Sequence, residues 1–183
     1  AGVFEVTQKQ WDLVMGGRPG AVFTTDGTIS TCNTLGGIFP ISVTSGEAVT
    51  FMRRVSGQFR LPTWDEWFFV CDANARIAHQ GMLNMGVAGW TRENSEEKVH
   101  PVGMKYPNAW GIYDMYGNAR ELVTRVDTNR GNSYTSRHAV GGSFRSRAAN
   151  CRICFGSAQK DDPTSDSTTK ACSYIPESST AVG

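Results

Sequence analysis

The chain has no long apolar run. Nothing in its 183 residues approaches the roughly 20 consecutive apolar positions that a bilayer-spanning helix needs, so no membrane insertion is expected. The opening Ala1-Gly2-Val3-Phe4-Glu5 has no basic region leading into an apolar stretch, and no secretory signal is read in it. Neither sign of charge predominates: 18 Lys and Arg face 17 Asp and Glu, for a net charge of +1. A nucleic-acid surface concentrates positive charge along a patch or stripe. Arg145, Arg147 and Arg152 come close together, but Asp161 and Asp162 follow, and short basic clusters are more often solvated faces. No nucleic-acid partner is expected.

Histidine is scarce. The three, His79, His100 and His138, are scattered and read as polar surface or turn residues rather than bases. No serine lies in a nucleophile elbow, and no glycine loop of the phosphate-cradling kind occurs. Five cysteines, Cys32, Cys71, Cys151, Cys154 and Cys172, cannot all pair within one chain. Zinc would need a second pair to complement Cys151-x-x-Cys154, and none has the spacing, so the cysteines read as mostly free, partly buried thiols.

What is present is the composition of a globular domain, 39% hydrophobic and 19% charged. With no internal repeat and no linker, residues 1–183 read as one domain, which could bury roughly 70% of its unfolded surface. Three segments carry one helix-start device, a Thr cap with Gln or Glu three residues on: Thr7 with Gln10, Thr44 with Glu47, Thr63 with Glu66. Val6 and Trp11 are placed as a hydrophobic staple, and Ala48, Phe51, Met52 and Val55 share one helical face. Gly16 and Gly57 lie where the first two helices should stop. Segment 17–40 is rich in turn residues, segment 127–143 reads as loop and then a short strand, and no periodicity survives in 157–179. Met82, Met85, Met104 and Met115 read as core filler.

Three stretches resemble a known family. They are Phe4-Glu5-Val6-Thr7-Gln8-Lys9-Gln10-Trp11, Phe59-Arg60-Leu61-Pro62-Thr63-Trp64-Asp65-Glu66-Trp67, and His100-Pro101-Val102-Gly103 through Pro107-Asn108-Ala109-Trp110-Gly111 to Asp114-Met115-Tyr116-Gly117-Asn118-Ala119. Gly141-Gly142-Ser143-Phe144 follows them. In this order the motifs resemble the formylglycine-generating enzyme (sulfatase-modifying factor) family, from about residue 3 to 156. The resemblance implies an α+β, loop-rich variant of the C-type lectin fold, with short helices and small antiparallel sheets. Leu61-Pro62-Thr63 would set an extended entry to a capped helix, with Trp67 as core anchor. Pro107-Asn108 and Gly111 would turn Trp110, Ile112 and Met115 inward. The strand that ordinarily precedes Glu5-Val6-Thr7 is missing from the sequence, which reads as a piece of something longer.

A scaffold does not fix a function. The enzymes of this family bind copper and activate oxygen through two cysteines that lie five residues apart after the Gly-Gly-Ser motif. Here those positions fall on Cys151 and Gly156, and an oxidase would have to use Cys151 with Cys154. The family's Trp-Glu-Trp is replaced by Arg120-Glu121-Leu122. Arg145-Ser146-Arg147-Ala148-Ala149-Asn150-Cys151-Arg152, with Pro163 beyond, instead resembles the variable region of proteins diversified by phage and bacterial diversity-generating retroelements. The leading expectation is therefore a ligand- or receptor-binding domain on a virion or bacterial cell surface. Its partner would be a protein or glycan receptor, met by a variable face at about 144–183. That face would use Arg145, Ser146, Arg147, Asn150, Arg152, Phe155, Ser157, Asp161 and Thr164. The alternative is the copper- and oxygen-dependent oxidase, and a third reading is a purely structural module. Ala171-Cys172-Ser173 stands where both sets of relatives have a strand with Gly-Phe-Arg.

A cation is also expected. Asp114 and Glu121 flank a turn whose Gly117 and Ala119 carbonyls could point between them, a hard-oxygen set that suits Ca²⁺. The resemblance implies the same four positions, Asp114, Gly117, Ala119 and Glu121. The competing reading has Asp114 capping a turn and Glu121 paired with Arg120 or Arg125.

Overall fold

The computed structural model describes residues 2–17, 22–23, 29–30, 36–71, 73, 85–129, 131–151 and 171–172. The three capped helices form where the Thr signals place them. Helix α1 (Gln8–Met15) has a complete capping box between Thr7 and Gln10 and ends on Gly16 in the left-handed region, at φ 77°. Helix α2 (Ser45–Val55) has the same box between Thr44 and Glu47. It stops one residue before the expected Gly57, because Ser56 turns extended (φ −168°) and its N–H closes the last turn on Met52. Helix α3 (Trp64–Cys71) follows the third device: the Glu66 N–H donates to Thr63 Oγ1 at 3.2 Å and the Thr63 N–H to Glu66 Oε2 at 2.8 Å. Two one-turn helices, α4 (Met85–Ala88) and α5 (Ala148–Cys151), complete the set among the described residues.

Three two-stranded antiparallel sheets pair β1 (Val22–Phe23) with β2 (Ile29–Ser30), β3 (Ser42–Val43) with β6 (Ala171–Cys172), and β4 (Glu121–Asn129) with β5 (Asn132–Val140). The β4–β5 hairpin bears out the short strand expected at the end of 127–143 and corrects the loop expected before it. Its register runs from Glu121↔Val140 to Asn129↔Asn132, so 132–140 is a full strand. Most of β5 is solvent-exposed and polar on both faces, which erased the alternation by which a half-buried strand is recognised. The pairing of Ala171–Cys172 with Ser42–Val43 gives the first two residues of the atypical Ala171-Cys172-Ser173 a place in a sheet.

Strand β4 is the wall between two cores. Its neighbours Leu122 and Val123 point to opposite faces, as successive strand residues must. Leu122 joins the core of Trp11, Ile41, Val43, Phe51 and Leu61, where the Trp11 and Phe51 rings stack at 5.0 Å. Val123 joins that of Trp67, Met85, Met115, Tyr116 and Cys151. Trp67 is the expected anchor, 2% exposed. Two other expectations fail. Trp110 is 53% exposed: Asn108 ties down its loop by accepting from the Trp110 and Ile112 N–H groups, and the indole packs edge-on against exposed Phe69. Met104 is 64% exposed, on the loop that starts at Pro101, whereas Met85 and Met115 are core; Met82 lies outside the described residues. Cys71 is disulfide-bonded, and among the described residues Cys151 is a free thiol, as the cysteines were mostly expected to be.

Candidate functional site

The turn after Ile112 gathers carboxyl groups where water cannot reach. Asp114 and Asn118 both adopt left-handed backbone (φ 59° and 50°), a region that Asp and Asn enter more easily than other residues with a Cβ. Gly117 lies between them at φ 78°, pressed against the Trp90 backbone. Asp114, Asn118 and Glu121 are all buried, and Glu5 joins them from the N-terminal segment. Asp114 Oδ2 accepts from the Gly103 N–H at 2.7 Å. Glu121 Oε2 accepts the Trp67 indole N–H, so Glu121 pairs with neither Arg120 nor Arg125. The remaining oxygens, Asp114 Oδ1 and Glu121 Oε1, are buried without a hydrogen-bond partner.

Desolvation, and then mutual repulsion, make these acids reluctant to ionise. Burial holds the Asp114 carboxyl up at about 6. Burial first and the Asp114 charge second raise Glu121 well above the usual carboxylate range, and Glu5 is raised by burial and by both neighbours. Among the described residues no three His, Cys, Asp or Glu side chains converge as a metal cluster. A cation here would therefore rest on Asp114 and Glu121 with neutral carbonyls, and the two orphaned oxygens fit a hard ion in need of oxygen donors.

Asn118 is the hub that the sequence reading missed. Its Nδ2 donates to Glu5 Oε2 (2.8 Å) and to the His100 carbonyl (3.2 Å), and its Oδ1 accepts from the His100 N–H (2.9 Å). Its backbone N–H reaches the Trp90 carbonyl, and its carbonyl accepts from the Phe144 N–H. Glu5 Oε1 also takes the Ala119 N–H, at 3.0 Å. Every donor and acceptor of the Asn118 amide is engaged, which buried amides require. The Glu-Val-Thr and Gly-Asn motifs carried the signal, but nothing local says that residues so far apart touch.

The hub fixes the start of the expected recognition face. Gly117 N–H donates to the Gly141 carbonyl, and Gly141 and Gly142 both take positive φ (81° and 76°) to turn the chain out of β5. Ser95 Oγ then holds the Phe144 carbonyl at 2.7 Å, and the Arg92 N–H holds the Ser146 carbonyl at 2.9 Å. The carboxylate of Glu93 accepts from the Ala148 N–H at 3.0 and 3.3 Å, capping α5 from another loop. On this base Arg145, Arg147 and Asn150 are exposed and Ser146 is half-buried with its Oγ accepting from the Ser143 N–H. Four of the nine expected contact residues thus lie together at one corner; Arg152, Phe155, Ser157, Asp161 and Thr164, like Cys154, lie outside the described residues.

Cys151, the one described residue of the expected oxidase pair, is buried under Gly142 at the end of α5. Burial first and the Glu93 charge second push its thiol up to about 12, the opposite of an activated thiolate. Native protein treated with iodoacetamide at pH 8 should leave Cys151 unmodified, and urea-unfolded protein should not; rapid native alkylation at that residue, read by peptide mass mapping, would overturn this. A Ser–His–Asp grouping on the hairpin makes no relay either. Ser136 Oγ binds Asp127 directly while also touching His138 Nε2 (2.8 Å), so the carboxylate does not orient the ring from its far nitrogen.

The comparisons agree with this architecture. A curated relative, chaperone protein LppX of Paenibacillus barcinonensis, is 27% identical over 167 residues, covering 66% of this chain and 59% of its own length. The chain thus spans about three fifths of that relative. Among solved structures, Treponema denticola variable protein 1 matches at a TM-score of 0.57 and 22% identity, over 80% of this chain and 73% of its own. CarF matches at 0.60 and 19%, over 82% and 77%. Both likenesses are likenesses of fold, and with them the α+β, loop-rich C-type lectin arrangement is shown. Among the described residues no helix is long and apolar enough to cross a membrane. The family described as the sulfatase-modifying factor enzyme 1-like domain matches residues 3–168, and the chain belongs to it.

Proposed function

We propose that this chain is a ligand-binding domain that presents the segment beginning at Phe144 to a protein or glycan receptor on a bacterial cell or virion surface. One observation carries the reading: exposed Arg145, Arg147 and Asn150 stand on backbone clamped by Asn118, Arg92, Ser95 and Glu93. Mobile, variable side chains on a rigid base are how a scaffold separates recognition from folding. The fold of a protein named as variable supports the same use. A calcium ion held by Asp114 and Glu121, with the Gly117 and Ala119 carbonyls, would supply fixed positive charge to the turn that braces Gly141. Its role would be structural.

Two results test this reading. Sequencing the codons of residues 141–183 from independent isolates should show replacements concentrated at Arg145, Ser146, Arg147, Asn150, Arg152, Phe155, Ser157, Asp161 and Thr164. An even spread of replacements, reaching Trp67 and Asn118, would sink it. In the protein itself, Arg145→Ala with Asn150→Ala should abolish adhesion to the cells that the parent chain binds, at ~1–4 kcal/mol per lost anchor. The change in folding stability should stay within about 0.5 kcal/mol, because both side chains are exposed. Unchanged adhesion, or a melting midpoint lower by several degrees, would place these residues elsewhere than on a recognition face.

A further inference from the structure

The corner that bears Arg145 and Arg147 holds a third exposed arginine, which comes from a different part of the chain. The Arg92 N–H donates to the Ser146 carbonyl at 2.9 Å, fixing Arg92 beside the two variable-segment residues. Arg60 and Arg125 show what a neutralised guanidinium looks like in this chain: they pair with Glu66 at 2.6 Å and with Asp127 at 3.2 Å. None of the three corner arginines has such a partner among the described residues. Glu93, the acid within these stretches, has its carboxylate committed to the Ala148 N–H and is held ionised by a Thr91 hydrogen bond, that backbone bond and the Arg147 charge, while Glu96, beyond Ser95, pairs with Lys98 at 3.3 Å. Residues 91–95 and 143–151 therefore carry three arginines and one glutamate, 3 − 1 = +2, against +1 for the whole chain.

The uncharged neighbours are as telling. Ser143, Ser146 and Asn150 supply hydroxyl and amide groups, and none of the exposed large hydrophobic residues lies in either stretch. The Phe144 ring faces the Arg145 guanidinium, 5.3 Å away. Among the described residues this corner offers no exposed large aromatic or aliphatic side chain to fill a protein partner's pocket. A duplex nucleic acid would want a longer basic track. Unpaired guanidinium forks among hydroxyls and an amide match carboxylate or sulfate groups spaced along a hydroxylated chain.

Building on the recognition reading above, we infer that the ligand is an anionic polysaccharide bearing carboxylate or sulfate groups, and that Arg92, Arg145 and Arg147 hold those groups. The test is surface plasmon resonance of the full chain over immobilised polygalacturonate, dextran sulfate and neutral dextran. Binding to at least one charged polymer, none to neutral dextran, and weakening with added salt are expected. A preference for polygalacturonate or for dextran sulfate assigns the group as carboxylate or sulfate. Arg92→Ser with Arg145→Ser and Arg147→Ser should weaken binding about tenfold or more. Arg53→Ser with Lys9→Ser and Arg137→Ser, an equal loss of charge at exposed positions elsewhere, should leave it within about threefold. Arg92→Ser alone, outside the variable segment, should still weaken binding measurably, and serves if the triple variant does not fold.

Equal losses in the two triple variants, no binding to either charged polymer, or tighter binding to a duplex DNA of matched length would each overturn the inference. Should both charged polymers fail while Arg145→Ala with Asn150→Ala still abolishes cell adhesion, only the anionic ligand falls and the recognition reading stands.

Discussion

Adding millimolar calcium to EDTA-treated protein should raise its melting midpoint by roughly 5–10 °C. A metal that binds only the folded state adds RT ln(1 + [L]/Kd), about 2.7 kcal/mol at a hundredfold excess over Kd, and a domain of this size gains about 2–4 °C per kcal/mol. The motive is the pair of buried, partnerless oxygens on Asp114 and Glu121. A cation would replace the repulsion between two desolvated acids with attraction. Without it, burial lifts Asp114 from 3.8 to about 6 in the folded chain, so its contribution to stability is complete below about 3.8 and is lost as the pH rises through 6. The calcium increment should therefore grow across that window and go on growing above it until Glu121, which burial raises as well, has ionised. Asp114→Asn with Glu121→Gln should remove the increment while leaving the EDTA midpoint unchanged or higher, because the buried charges go with it. Equal midpoints with and without calcium at pH 7.5, and no calcium by elemental analysis, would remove the site.

Gly89→Ala should unfold the chain or come close to it. A methyl at this position would lie inside the van der Waals envelope of the Tyr116 carbonyl oxygen and against the Tyr116 Cβ. The obstacle is backbone, not the tip of a flexible side chain. Tyr116 cannot retreat, because its successors are held: Gly117 bridges to Trp90 and Asn118 N–H donates to the Trp90 carbonyl at 2.7 Å. Relief would require parting the two segments, with loss of the Asn118 hub and its links to Glu5, His100 and Phe144. Losing a buried polar network of that kind costs about 4 kcal/mol or more, a large fraction of the 5–15 kcal/mol available to a typical domain. Urea melts should show a midpoint far below that of the parent chain. Gly46→Ala, on a helix with open space around the added methyl, is the control and should be neutral or slightly stabilising. Parent-like stability of Gly89→Ala would mean that the two backbones do not cross so closely.

The helices were legible from short-range chemistry. Thr7–Gln10, Thr44–Glu47 and Thr63–Glu66 are each complete within four residues, and a cap has the same geometry in any fold. Order and spacing of longer motifs were enough to name the scaffold, because they encode turns and anchors such as Trp67 and Gly117. Of the hairpin only the short strand leading into Gly141 was legible, because an exposed polar strand and an exposed polar loop share one composition. Nor was Trp110: its hydrophobicity argued for burial, while the Asn108 hydrogen bonds that hold its loop outward depend on backbone positions no pattern encodes. At the candidate site, the sequence alone supplied the ligand-type residues Asp114 and Glu121 and the polar run from Arg145. Only the tertiary structure could bring Glu5 to Asn118, Trp67 to Glu121, and Arg92 to Ser146. Those meetings join segments tens of residues apart, and what decides them is the packing of two cores across β4 rather than any preference within the segments themselves.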